Sequence, residues 1–450
     1  MPEPVRATAL QRDASAPASR PDAYSAPPGG VELQSAHLRD RAARRASKGR
    51  RVLIIVENLP LPFDRRVWQE ARTLTAAGYV VSIICPKAPG YEESFERLEG
   101  IDIHRHWLPA EADGALGYAL EYSAALLMEL TLALKIAFGR GFDVIHACNP
   151  PDTIFIIARF FKLFGKKFLF DHHDINPELY EAKFGKRGLG HKLLSALERL
   201  TFNAADVVIS TNESYRSIAI GRGGKDPRDV FVVRSGPDLT RMRIVAPNPA
   251  LKRGRKYLVG YVGVMGKQEG IDLLLQAVQS IVKQLGRTDI QFGLVGGGTE
   301  LPAMRELAKE LGVADYVTFT GRAPDDALLE MLNTADVCVN PDRANDMNDR
   351  STMNKIMEYM ALGKPVVQFD LTEGRVSAGD ASWYAHPNDV ADLAQKIVAL
   401  LADENQRIHM GAVGRERVER VLAWQHEAPR LLAAYRHLLQ TDSQPIGQTP

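Results

Sequence analysis

From Arg51 onward, short apolar runs alternate with stretches whose apolar residues recur at helical spacing. Arg51–Val56 suits a strand buried on both faces, and Val67, Ala71 and Leu74 then mark a helix over 64–77 that Gly78 closes. The pattern predicts further strands at Tyr79–Cys85, Ile101–Trp107, Phe142–His146, Lys167–Phe170, Asp206–Ser210 and Val230–Val233. Helices are expected over 115–138, 154–164 and 198–204. The second half repeats the alternation. Strands are predicted at Tyr257–Val262, Gln291–Val295, Val317–Thr320, Asp336–Asn340 and Pro365–Phe369, with helices over 272–285, 301–311 and 325–334. Before the last strand, Ile356, Met357, Met360 and Ala361 form one apolar helix face, with Ser351 or Thr352 expected as N-cap and Gly363 as the stop. Strand–turn–helix units in series predict α/β architecture with doubly wound parallel sheets.

The pattern fails at both ends. Residues 1–49 are dominated by Ala, Ser, Pro and Arg and have too few large apolar residues to offset ordering, so a disordered tail is expected there and again over 441–450. Between them the expected organisation is a domain over 50–245, a Pro-, Gly- and base-containing linker over 241–256, a second domain over 256–415 and a last helix over 424–439. The 450-residue length fits two domains, and a net charge of +1 points to no nucleic acid partner. Cys85, Cys148 and Cys338 lack metal-ligand spacing and disulfide patterning, which fits a reducing compartment. No apolar run is long enough to span a bilayer and no signal-peptide core opens the chain, so a cytoplasmic protein is expected.

Candidate chemistry falls at strand ends, where open parallel sheets bind ligands. The strand at 167–170 runs into Asp171, His172, His173 and Asp174. A His–Asp contact that merely fixes a loop is the plainer alternative. Gly263, Gly266 and Gly270 lie in one strand–helix turn and Gly296, Gly297 and Gly298 in another. Such turns let backbone N–H groups approach a diphosphate, although ordinary α/β turns use glycine too. Ser351 and Thr352 stand before a helix whose N-terminus can hold an anion, with Lys355 adding charge and Glu358 offering an acceptor to a sugar hydroxyl.

The sequence Met360–Val367, preceded by Glu358, resembles the donor-site helix of the family-4, retaining, GT-B-fold glycosyltransferases, and the resemblance covers roughly residues 51–440. It implies two Rossmann-like domains facing a central cleft, with the C-terminal helix crossing back to the first. It implies transfer of a sugar from a nucleotide-diphosphate-sugar, without metal or other cofactor. In this reading His173 and Asp174 are the catalytic positions. Gly263, Lys267, Gly296, Gly297, Gly298, Arg322, Arg350, Ser351, Thr352, Lys355 and Glu358 form the donor site. The sequence departs from the family in three places: Arg350 replaces the first glutamate of a Glu-x7-Glu pair, and Val264 and Glu269 replace an Arg and a Lys. Lys267, or else Lys355 or Arg350, is the expected substitute at the diphosphate. The similarity to bacterial surface-polysaccharide enzymes implies a lipid-linked acceptor in exopolysaccharide, capsule or O-antigen assembly. Bases interleaved with Phe160, Phe161, Leu163 and Phe164, and the loop Lys183–Arg187, suggest peripheral contact with the inner face of the membrane. The rivals are a nucleotide-sugar epimerase, with Asp174 and Glu178 as paired carboxylates, and an inactive scaffold of the same architecture.

Overall fold

The computed structural model describes residues 50–107 and 114–440, with side chains of the helix Gly114–Phe138 described from Ser123 on. Both expected disordered tails lie outside the described residues. The chain divides into two compact units. One runs to Val233 and resumes at Ala428, and the other spans Arg234–Glu427.

The first unit is built on an eight-stranded sheet. Its strands are β1 (Arg51–Ile55), β2 (Val80–Pro86), β3 (Phe95–Leu98), β4 (Ile101–His106), β5 (Val144–Cys148), β6 (Lys167–His172), β7 (Val207–Ser210) and β8 (Val230–Val232). The order is β3-β4-β2-β1-β5-β6-β7-β8, parallel throughout except for β3 against β4. From β1 the chain winds outward to β2 and β4, then restarts at β5 on the other side of β1. The winding therefore reverses between β1 and β5. Helices cover the sheet, which is why Val52 to Ile55 form an unbroken apolar run rather than an alternating one.

The second unit carries a six-stranded, wholly parallel sheet of order β11-β10-β9-β12-β13-β14. These strands are β9 (Tyr257–Val262), β10 (Ile290–Val295), β11 (Val317–Gly321), β12 (Val337–Asn340), β13 (Val366–Phe369) and β14 (Ser382–Ala385). Its two faces bury separate clusters. Val259 and Tyr261 of β9 join Val337, Val339, Val367 and Phe369 in one, while Leu258 and Val262 join Cys338 and Val366 in the other. This period-two division is what a sheet sandwiched between helices requires. Here the winding reverses between β9 and β12.

The stretch 241–256 packs within the second unit, where Met242 is fully buried. The C-terminal helix Trp424–Gln440 groups with the first unit from Ala428 on. Sequence periodicity did not find β3, β14, or the helices Asn176–Phe184, Glu213–Gly221, Val390–Ala402 and Glu404–Arg417. Among the described residues no helix is long and apolar enough to cross a membrane, and all three cysteines are free and buried.

Candidate active site

In the first unit the polar residues collect where the winding reverses. Asp171, the penultimate residue of β6, is fully buried. Arg66, in the first turn of the helix Arg65–Ala76 that follows β1, grips it with two nitrogens, Nη2 to Oδ1 at 2.8 Å and Nε to Oδ2 at 3.2 Å. Asp64 caps that helix by accepting from the Val67 N–H at 3.1 Å, which fixes where Arg66 stands. Glu70 lies one turn further, 3.2 Å from Arg66. Two buried carboxylates share one guanidinium, and their pKa values separate. Burial and then the Asp171 charge push Glu70 well above its ordinary range. Asp171 is held well below its own, because Arg66 and His173 outweigh the burial that opposes ionisation. His146 of β5 places Nε2 3.5 Å from Asp171 and Nδ1 2.9 Å from the Tyr435 hydroxyl of the C-terminal helix.

The two candidate histidines face different surroundings. His172 is fully buried among Phe170, Phe202 and Tyr215, and among the described residues neither ring nitrogen finds a hydrogen-bond partner. His173 is partly exposed, with Nε2 on Asp171 Oδ2. The loop after β5 sets its backbone: Asn149 Oδ1 accepts from the N–H groups of His173 and Asp174 at 2.7 and 3.1 Å. Asn149 Nδ2 in turn donates to the Asp174 carbonyl at 2.7 Å and to Asp152 at 3.1 Å. Burial raises Asp174, and it raises Asp152 to about 6 despite hydrogen bonds from Asn176 and Asn149. Glu178 is committed to Arg222 through contacts of 2.6 and 3.1 Å, so it is not a spare partner for Asp174. Glu70, Asp171 and His173 converge closely enough to ligate a metal, as do His146, Cys148 and Asp171. A cation there would have to displace Arg66, which already neutralises the carboxylates.

In the second unit the glycine turns are locked together by backbone contacts. Gly263 N–H donates to the Val295 carbonyl at 3.1 Å, Met265 N–H to Gly297 at 2.8 Å and Gly296 N–H to Gly321 at 2.9 Å. A Cβ on Gly296 would overlap the Gly263 carbonyl oxygen, and one on Gly298 would meet the Met265 backbone. These two glycines are required by turn-on-turn packing itself. A Cβ on Gly297 would meet only Arg322 within 4 Å, at 3.8 Å from its backbone nitrogen. Lys267 and Arg322 are exposed, and among the described residues the Lys267 ammonium makes no ion pair.

The helix expected to begin at Ser351 or Thr352 begins at Asn354, with Met353 as a cap that makes no side-chain bond. Ser351 instead ends the short helix Asp346–Arg350, its hydroxyl donating to the Met347 carbonyl at 2.7 Å. The capping expectation fails because Ser351 closes that earlier turn and the next helix starts only at Asn354. Thr352 lies between the two helices. Arg350 is partly exposed and engaged. Lys355 is also not a spare charge. Its ammonium contacts Glu269 Oε2 at 2.5 Å and Asp342 Oδ1 at 2.8 Å. Glu269 comes from the turn after β9 and Asp342 from the loop after β12, so this cluster marks the second reversal of winding. Burial, together with Glu269, pushes Asp342 up to about 7 against the pull of Lys355. Glu358 stands one turn further along, partly exposed, with Oε1 3.1 Å from Arg241 Nη1; Arg241 also clasps Asp325 at 2.7 and 2.9 Å. Sequence reasoning did not single out Arg66, Glu70, Asn149, Arg241 or Asp342. Only Asp171 lay within a stretch already marked, and the others carry no local signal.

Residues 64–236 match the family described as Glycosyl transferase 4-like domain, and residues 256–403 match Glycosyl transferases group 1. The chain belongs to the family-4, GT-B-fold glycosyltransferases. Among curated relatives of this family, the D-inositol 3-phosphate glycosyltransferase of Thermomonospora curvata is 31% identical over 260 residues, 53% of this chain and 58% of that protein. The chain thus matches less than two thirds of that relative's length. The fold is shared with sucrose-phosphate synthase from Thermosynechococcus elongatus, at a TM-score of 0.70 and 20% identity over 87% of this chain and 100% of that one. It is shared also with Anabaena HepE, solved with UDP-glucose, at a TM-score of 0.64 and 15% identity over 87% and 99%.

Proposed function

We propose that this family-4 member transfers a sugar, with retention, from a nucleotide-diphosphate-sugar to an acceptor hydroxyl on a lipid-linked glycan of surface-polysaccharide assembly. The observation that carries the reading is Glu358. It is the family's matching glutamate, aimed by Arg241 and still partly exposed, one turn inside the helix Asn354–Ala361. A carboxylate so placed accepts hydrogen bonds from a sugar hydroxyl. The positive end of that helix and the exposed Lys267, whose ammonium makes no ion pair among the described residues, suit a leaving diphosphate, whose charge grows in the transition state. No metal or cofactor enters this proposal. UDP and UDP-glucose bound to HepE support a nucleotide sugar as the ligand class.

Peripheral association with the inner face of the cell membrane is part of the reading. Leu163, Phe164, Leu189 and Leu193 are exposed at 81%, 64%, 87% and 60%, with Arg159, Lys186 and Lys192 exposed on the same two segments. The epimerase alternative loses support because Glu178 is held by Arg222.

The test is nucleotide release from a panel of nucleotide sugars with lipid-linked acceptor. Glu358→Gln should weaken donor binding about tenfold, some 1.4 kcal/mol. His173→Ala should bind the nucleotide within a few-fold of wild type yet lose most transfer, as a group acting in the transition state does. No release from any donor, or sugar conversion without transfer, would overturn the reading.

A further inference from the structure

The His173 imidazole has one nitrogen engaged and one available. Nε2 meets Asp171 Oδ2 and lies 2.8 Å from Arg66 Nε. Among the described residues Nδ1 has no partner, and unlike both ring nitrogens of His172 it is not sealed off from solvent. Arg66 has only donors, so every atom facing it is best an acceptor. Nε2 cannot accept from Arg66 while also lying hard against an ionised carboxylate, because two lone pairs would then face each other. The arrangement without that clash has Arg66 donating twice to Asp171 and His173 donating Nε2–H to the same carboxylate. The proton is then fixed on Nε2, and Nδ1 is left as the acceptor.

We propose that Asp171, gripped by Arg66, is a positioning residue that selects the Nε2–H tautomer of His173 and so supplies Nδ1 as the hydrogen-bond acceptor toward the substrate. This rests on the transferase reading above for its consequence, though not for its geometry. The surroundings support it. Arg66 is itself fixed by the Val233 carbonyl at 2.7 Å, and Asn149 holds the His173 backbone, so neither ring nor carboxylate is free to turn. Arg66 and His173 keep Asp171 ionised against burial, while Glu70 is pushed toward its protonated form and leaves Arg66 to Asp171. Arginine at 66 and aspartate at 171 thus determine which face of the imidazole is chemically useful. A positioned group of this kind governs turnover rather than donor binding.

The direct test is nitrogen NMR of histidine-labelled protein under mildly alkaline conditions, with the His173 signals assigned by their loss in His173→Gln. We expect a protonated, pyrrole-type Nε2 and a pyridine-type Nδ1. A proton on Nδ1 in the wild type overturns the proposal, and this measurement needs neither activity nor a further variant. The second arm is Asp171→Asn. Its amide oxygen should face the donors of Arg66, turning the amide N–H toward Nε2 and moving the proton to Nδ1. We expect kcat to fall roughly a hundredfold or more with donor KM within a few-fold. Wild-type kcat in a folded Asp171→Asn overturns the positioning role. If no nucleotide sugar is turned over by the wild type, the transferase reading fails, and the tautomer measurement alone decides what Asp171 does to His173.

Discussion

Lys267 and Lys355 were equivalent candidates for the diphosphate by residue type, and their surroundings separate them. Lys355 bridges Glu269 and Asp342 in a buried cluster, whereas the Lys267 side chain is exposed. Removing the Lys355 ammonium leaves the buried Asp342 facing the partly exposed Glu269 without a counter-charge, at a cost of about 3 kcal/mol, the low end for losing one partner of a buried pair. Lys355→Met is therefore expected to lower the melting temperature sharply. Lys267→Ala should leave it unchanged and reduce turnover roughly ten- to a hundredfold. Calorimetry and donor turnover on the two variants distinguish the roles. His172 gives a pH signature. Burial, and secondarily the Arg222 charge, lowers its pKa from 6.5 to about 3. As pH falls below 6.5 the unfolded chain binds a proton that the folded chain refuses. Stability is complete above that value and declines toward pH 3, by up to about 1.4 kcal/mol per pH unit. Phenylalanine suits the aromatic surroundings and cannot titrate. Urea midpoints of His172→Phe should thus fall less steeply on acidification than those of wild type, and parallel curves would count against this account.

At the scale of elements, what was legible was what is local. Central strands such as β1 and β9 showed as apolar runs, and the glycine turns and the stop at Gly363 could be placed because each depends on one or two neighbouring residues. β3 and β14 were missed because they are four-residue edge strands, too short for a period-two pattern to stand out. The N-cap was misplaced because a one-turn helix just upstream takes Ser351 as its C-cap and the following helix starts later, at Asn354. The candidate site was legible as strand-end positions, glycine turns and the helix residues Lys355 and Glu358, without the partners that orient them. Its orienting partners lie far away in the chain: Arg66 precedes Asp171 by 105 residues, and Arg241 precedes Glu358 by 117. Periodicity contains no information about such pairs. The locked turns give a prediction at this scale. Gly296→Ala drives a Cβ into the Gly263 carbonyl, which is backbone and cannot step aside, so a loss of about 3 kcal/mol or more and of nucleotide binding is expected. Gly293→Ala meets the Met331 thioether, which can swing away, and should cost about 1 kcal/mol. Equal thermal stability of the two variants would contradict this difference.

Across the whole molecule, each unit repeats one scheme: a sheet wound outward from its first strand, with a charged cluster where the winding reverses. Leu163, Phe164, Leu189 and Leu193, with the bases beside them, all belong to the first unit. Binding to anionic phospholipid vesicles is accordingly expected to weaken with salt, and to drop at least tenfold in the double variant Leu189→Ser, Leu193→Ser with nucleotide affinity intact. Co-sedimentation checks this, and equal binding to neutral vesicles would argue against it. The C-terminal helix has a different consequence. Glu427 accepts the Arg234 N–H at 3.0 Å, while Leu431, Ala434, Tyr435 and Leu438 are fully buried and the Tyr435 ring packs edge-on to Tyr79. A shortened recombinant protein ending where the second unit ends would uncover that apolar seam and leave His146 without its hydroxyl partner. For anyone producing this protein, trimming the last helix to ease crystallisation would yield aggregates, and purification handles belong beyond Gln440.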